Sequence, residues 1–153
     1  MNLALTRIRF RENAITTAGP HQILTMLYDR LVLDLDRAES AQRAGEQAEA
    51  NRQIDHAQDI ISGLASTLDV GEWDGGQGLM DVYMFLLREL VGASIKQDPD
   101  RIRACSELVV PLRDAWHQAA DIVAAEHLAT LPSQRTRALA FGESAVGGEL
   151  GVG

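Results

Sequence analysis

The sequence predicts an all-α fold, an antiparallel up-down four-helix bundle, and three observations carry that reading. Apolar residues recur with a period of about 3.6, and no short run alternates apolar with polar residues as a half-buried strand would. Gly19-Pro20, Gly45, the glycines between Gly71 and Gly76, and Pro99 cut the chain into helical segments of similar length. The connections between those segments are short, which favours antiparallel neighbours. With 153 residues, 46% of them apolar, the chain is long enough for one domain with a buried core.

Residues 1–16 read as an N-terminal arm, and residues 17–125 as the bundle. The first helix opens at Gly19 as N-cap with Pro20 in the first helical position, where its missing N–H costs nothing. It runs to about residue 44 and stops at Gly45. The second helix spans roughly 48–69 and ends in the glycine-bearing loop 70–76. The third covers about 77–97. Asp98-Pro99 repeats the cap-then-proline start for a fourth helix reaching about residue 125. Pro111 lies inside it, removing a backbone bond and clashing with the preceding turn, at about 3 kcal/mol in an undistorted helix. A kink there, or two shorter helices meeting at Val110-Pro111, is expected. Five of the last twelve residues are glycine, so 126–153 reads as a disordered, flexible tail.

Each helix carries one apolar stripe of core width. The stripes are Leu24, Leu27, Tyr28, Leu31, Leu35 and Ala38; Ile54, Ala57, Ile61, Leu64, Ala65 and Leu68; and Leu79, Val82, Tyr83, Leu86, Leu90 and Ala93. The fourth runs through Ile102, Cys105, Leu108, Val109, Leu112, Trp116, Ala119 and Val123. Apolar residues are left over. Ile23, Met26 and Leu33 form a second strip on the first helix, and Met84, Leu87 and Val91 a second strip on the third, with Phe85 on a further side. Either these strips widen the core or they dock a partner, and methionine suits a surface that must adapt to a ligand chain.

Charge narrows the function classes. The net charge is −8, yet the first nineteen residues set Arg7, Arg9 and Arg11 against Glu12 alone, so the acidity sits in the body. An acidic body repels phosphate backbones, which excludes nucleic acid as partner. It also serves plain solubility. No apolar run is long enough for a membrane span, and no secretory h-region follows the N-terminal arginines, so direct membrane insertion is not expected. The lone Cys105 excludes an internal disulfide framework and fits a reducing cytoplasm.

Catalytic chemistry is scarce. Asp114-x-x-His117 is half of a di-iron bundle motif with no second pair, so no metal and no cofactor is expected. Arg52-x3-His56 and Arg113-x3-His117 resemble the Arg/His pairs of HEPN-like helical-bundle ribonucleases, one residue short in spacing, and keep that enzyme as the alternative function. There is no nucleophile–base pair, phosphate loop or zinc spacing. The chain reads as a non-enzyme.

The segment Thr17-Ala-Gly-Pro-His-Gln-Ile-Leu-Thr-Met-Leu-Tyr-Asp29 resembles the opening pattern of the flagellar export chaperone family FliS. Ala57-Gln-Asp-Ile-Ile-Ser-Gly-Leu64, then Ser66-Thr-Leu-Asp69, the Gly75-Gly76 loop, Tyr83, Leu90, Ala93, Asp98-Pro99 and Leu112-Arg-Asp-Ala-Trp116 follow in the family's order. Tyr28, Asp29, Tyr83, Arg113 and Trp116 are the residues that carry the likeness. Gly19 replaces the family's usual Ser, Phe85 its second helix-three tyrosine, and Phe10 is the arm's only aromatic. The resemblance implies a cytosolic chaperone. It would bind flagellin's C-terminal segment, prevent premature polymerisation, and dock with its cargo on the cytoplasmic domain of the flagellar type III export gate. On that reading Ile23, Met26, Leu33, Met84, Leu87 and Val91 hold flagellin. Ile8 and Phe10 belong to an arm that covers part of the groove in the free protein. A weak homodimer completes the expected partners.

Overall fold

The computed structural model describes residues 19–146, with side chains described as far as 130. Four helices follow one another, and no strand occurs among the described residues. They are α1 (Pro20–Arg43), α2 (Gln47–Thr67), α3 (Gly76–Lys96) and α4 (Pro99–Val146). The all-α reading holds, and the first three helices fall within a few residues of their expected bounds. Among the described residues, those up to Trp116 form one compact unit and those from His117 onward a second.

The ends of the helices follow from local chemistry. Gly19 has extended backbone, and its carbonyl accepts the Gln22 and Ile23 N–H groups at 3.0 Å each. With no side chain to cap the first turn, the cap is completed in reverse, by Gln22 Oε1 accepting the Gly19 N–H at 3.3 Å. At the other end Gly45 adopts φ 74°, a left-handed turn that a β-carbon would strain. This lets Glu46 N–H reach Ala41 O at 2.8 Å and Gly45 N–H reach Gln42 O at 3.1 Å, the paired bonds of a Schellman stop. α3 ends on a left-handed Gln97 (φ 51°), a conformation costing about 1 kcal/mol for a residue with a side chain. Its Nε2 donates to Ser94 O at 2.6 Å, holding the turn. Asp98 Oδ1 then accepts Asp100 N–H at 3.1 Å to start α4.

The four stripes meet in one core. Tyr28, Leu31, Leu35, Ile54, Ile61, Leu86, Leu90, Ile102, Cys105 and Val109 are each at most 1% exposed. Polar ties fix the register between helices. Gln42 Nε2 donates to Ala93 O at 2.9 Å, linking α1 to α3, and Ser94 Oγ donates to Asn51 Oδ1 at 3.0 Å, linking α3 to α2. In the loop before α3, a β-carbon on Gly76 would sit 2.9 Å from Val70 O, so that close backbone approach requires glycine.

Three expectations for the fourth helix are corrected. α4 runs unbroken through Pro111 and Pro132, so the two-helix alternative is excluded. It continues past residue 125 to Val146, where the sequence reading had begun a tail. The glycines behind that reading stand at 142 and beyond, whereas 126–141 contains none. Residues 147–153 lie outside the described residues. Finally, Leu108 and Val123 are 42% and 41% exposed rather than buried. Leu108 is turned roughly 60° from Cys105 around the helix, which puts it at the edge of the stripe. Val123 lies beyond Trp116, where the bundle unit ends.

Candidate functional site

The outer faces of α1 and α3 carry apolar side chains that the core does not use. Met26 (47% exposed) and Leu33 stand two turns apart on one side of α1. Met84 and Val91 (49%) stand two turns apart on one side of α3, with Phe85 beside Met84 and Ile95 one turn beyond Val91. Each of these helices already buries a full apolar stripe, so these residues are surplus to the fold. Ile95 was missed by the sequence reading, although extending the Met84–Val91 line by one turn reaches it.

The other two candidates lie differently. Ile23 is half-buried, and Leu87 is half-buried with its side chain packed against the core. Both are turned roughly 60° from the exposed strip, toward the buried stripe of their own helix. Ile8 and Phe10 of the arm lie outside the described residues.

The family-motif residues serve mainly the interior. Tyr28 and Tyr83 are buried, and their hydroxyls are 2.6 Å apart. The Trp116 ring lies 6.2 Å from Tyr28, centroid to centroid, tilted by 49°. Burial pushes both phenols up, and the hydrogen bond they share pushes Tyr83 up further. Arg113 is paired with its neighbour Asp114 through Nε and Nη2, each at 3.0 Å. Asp29 is exposed on α1.

Sequence periodicity overlooked one polar feature. Asp34 is fully buried, accepting from Arg30 Nε at 2.9 Å and meeting His56 Nδ1 of α2. This carboxylate ties the first two helices together. It also engages one of the histidines on which a ribonuclease reading depends. Arg52, the other member of that pair, is bonded to Glu49 instead. The two groups therefore face different partners. Cys105 is likewise unsuited to chemistry, since burial, with nearby Glu89, pushes its thiol up to about 12. No group of three or more metal-ligating side chains gathers among the described residues. None of the described helices is long and apolar enough to cross a membrane. The arrangement offers surfaces for docking.

Comparison with known proteins converges on one family. The profile described as "Flagellar protein FliS" matches residues 4–123. The flagellar secretion chaperone FliS of Bacillus subtilis is 32% identical over 111 residues, covering 72% of this chain and 82% of that protein. The Salmonella typhimurium protein of the same name is 30% identical over 111 residues, covering 70% and 81%. That of Vibrio cholerae is 27% identical over 110 residues.

Proposed function

The chain belongs to the FliS family of flagellar secretion chaperones, and from that membership we propose that it is a cytoplasmic chaperone for the C-terminal segment of flagellin. It acts without catalysis: it covers a segment that would otherwise polymerise early, and carries its cargo to the cytoplasmic domain of the export gate.

The observation that supports this reading is the surplus apolar surface on α1 and α3. Met26, Leu33, Met84 and Val91 are exposed on helices whose core faces are already filled. Such strips suit helix-in-groove recognition, in which an unfolded ligand becomes helical as it lays its apolar anchors down. Burial at about 25 cal/mol per Å² drives the association, and ordering the ligand offsets part of that gain. The flexible methionines let one surface follow the ligand's side chains.

Calorimetry with synthetic flagellin peptides tests the proposal. A C-terminal peptide should bind alone, with a negative heat-capacity change from apolar burial. Binding by an N-terminal peptide with none by the C-terminal one would overturn it.

A further inference from the structure

Three methionines stand among the described residues, Met26, Met80 and Met84. Met26 on α1 is 47% exposed and Met84 on α3 is 38% exposed, so each surplus strip presents one thioether to water. Met80 is half-buried. Among the described residues the buried core contains no methionine. The other sulfur of the bundle, Cys105, is buried and keeps its proton, so it is inert to oxidants that act on thiolates. The fold therefore shows its oxidisable sulfur on the two strips and keeps it out of the core.

The chemistry of that sulfur decides what the strips can bind. A thioether is a weak acceptor and packs well against aliphatic anchors. Hydrogen peroxide converts it to a sulfoxide. The sulfur lone pair forms an S–O bond as the O–O bond breaks, and the departing hydroxide takes the proton of the transferred hydroxyl and leaves as water. The sulfur is oxidised by two electrons and the peroxide reduced by two. The new oxygen is a strong acceptor, and Leu33, Phe85 and Val91 on the same helix faces carry no side-chain donor for it. An apolar ligand laid over the strip would bury that oxygen unpaired, which costs affinity.

We propose that Met26 and Met84 form a paired modification site, at which oxidation to the sulfoxides by a peroxide reversibly closes the flagellin-docking surface while the bundle stays folded. The inference rests on the flagellin reading of the strips.

The full chain treated with hydrogen peroxide, then freed of it before any ligand is added, tests this. Peptide mass mapping should find the added oxygen at Met26 and Met84 sooner than at Met80. Calorimetry should show binding of a synthetic flagellin C-terminal peptide weakened by about tenfold or more, with the urea midpoint unchanged. Methionine sulfoxide reductases A and B, one for each sulfoxide epimer, should restore the affinity. The Met26→Leu, Met84→Leu double variant keeps the apolar volume, so it should bind the peptide and hold its affinity through the same treatment. Three outcomes overturn the switch and leave the flagellin reading standing. They are an oxidised wild-type chain that binds at full strength, oxygen found at Met80 ahead of the other two, and a double variant that loses affinity as the wild type does. Oxidation that lowers the urea midpoint overturns it as well, because the core is then the target. An untreated chain that does not bind the peptide removes the flagellin reading and the switch with it.

Discussion

The Tyr28 hydroxyl meets the Tyr83 hydroxyl at 2.6 Å inside the core, so two helices that are not sequence neighbours share one buried hydrogen bond. Removing one partner leaves the other hydroxyl buried and unsatisfied. Tyr83→Phe should therefore destabilise the protein by about 1–3 kcal/mol in urea unfolding. Replacing both partners removes the hydroxyl that a single change would strand. The Tyr28→Phe, Tyr83→Phe double variant should be more stable than the sum of the single changes implies. A double-mutant cycle that sums without coupling would show that the bond contributes nothing.

The same burial gives the fold an alkaline limit. Tyr28, Tyr83 and Cys105 are all pushed above their ordinary values of 10.0 and 9.0, Cys105 to about 12. In the unfolded chain these groups release their protons from about pH 9 upward, while in the folded chain they keep them. The unfolded state then binds fewer protons, so stability must fall as pH rises. It is fully present below pH 9 and is lost progressively toward pH 12. Urea midpoints measured from pH 8 to 11 should decline, and Cys105→Ala should flatten the slope. An unchanged slope in that variant would mean the thiol titrates alike in both states.

Asp34 makes a sharper comparison. Its carboxylate is fully buried, while Arg30 and His56 keep 38% and 46% of their side chains exposed. Losing Asp34 lets both partners hydrate. Losing both partners strands a buried charge, which costs about 3–5 kcal/mol. The Arg30→Ala, His56→Ala double variant should accordingly unfold at lower urea than Asp34→Asn. The reverse order would indicate that water reaches the carboxylate.

Much of this was legible in the sequence, and the exceptions have physical causes. Helical period located the core because Tyr28, Leu31, Leu35, Leu86 and Leu90 recur at the spacing that one buried face demands. Asp34 escaped because apolar periodicity cannot register a carboxylate matched by a histidine on the next helix. Leu87 was grouped with Met84 and Val91, whereas its rotation toward Leu86 and Leu90 packs it on the core. The extension of α4 was hidden by glycines that cluster only beyond residue 141.

The proposed competition between the arm and flagellin can be tested directly. Residues 1–16 combine Leu3, Leu5, Ile8 and Phe10 with three arginines, a composition suited to an acidic, partly apolar face. If the arm competes with flagellin, deleting it should raise flagellin affinity, since no competent surface is then held closed. Hydrogen exchange at 3–15 should become faster on adding the flagellin peptide. Slower exchange, with weaker binding after deletion, would show that the arm clamps the ligand instead.

Substitution can separate docking surface from core on the same helices. Met26 and Val91 are about half exposed, so Met26→Asp or Val91→Asp should change free-protein stability by no more than about 0.5 kcal/mol. Either change puts a charge where an apolar anchor must be desolvated, so flagellin binding should weaken strongly. Leu31→Ala and Leu86→Ala should do the opposite. They empty fully buried sites, which costs about 2–5 kcal/mol, while the exposed strips keep their chemistry. Leu87→Asp should harm both properties, because that side chain packs on the core at the margin of the strip. Paired urea melts and peptide titrations on the five variants read both axes. If Met26→Asp and Val91→Asp unfold as readily as Leu31→Ala, the strips belong to a wider core. If they remain stable and bind flagellin at wild-type strength, the docking surface lies on other helices.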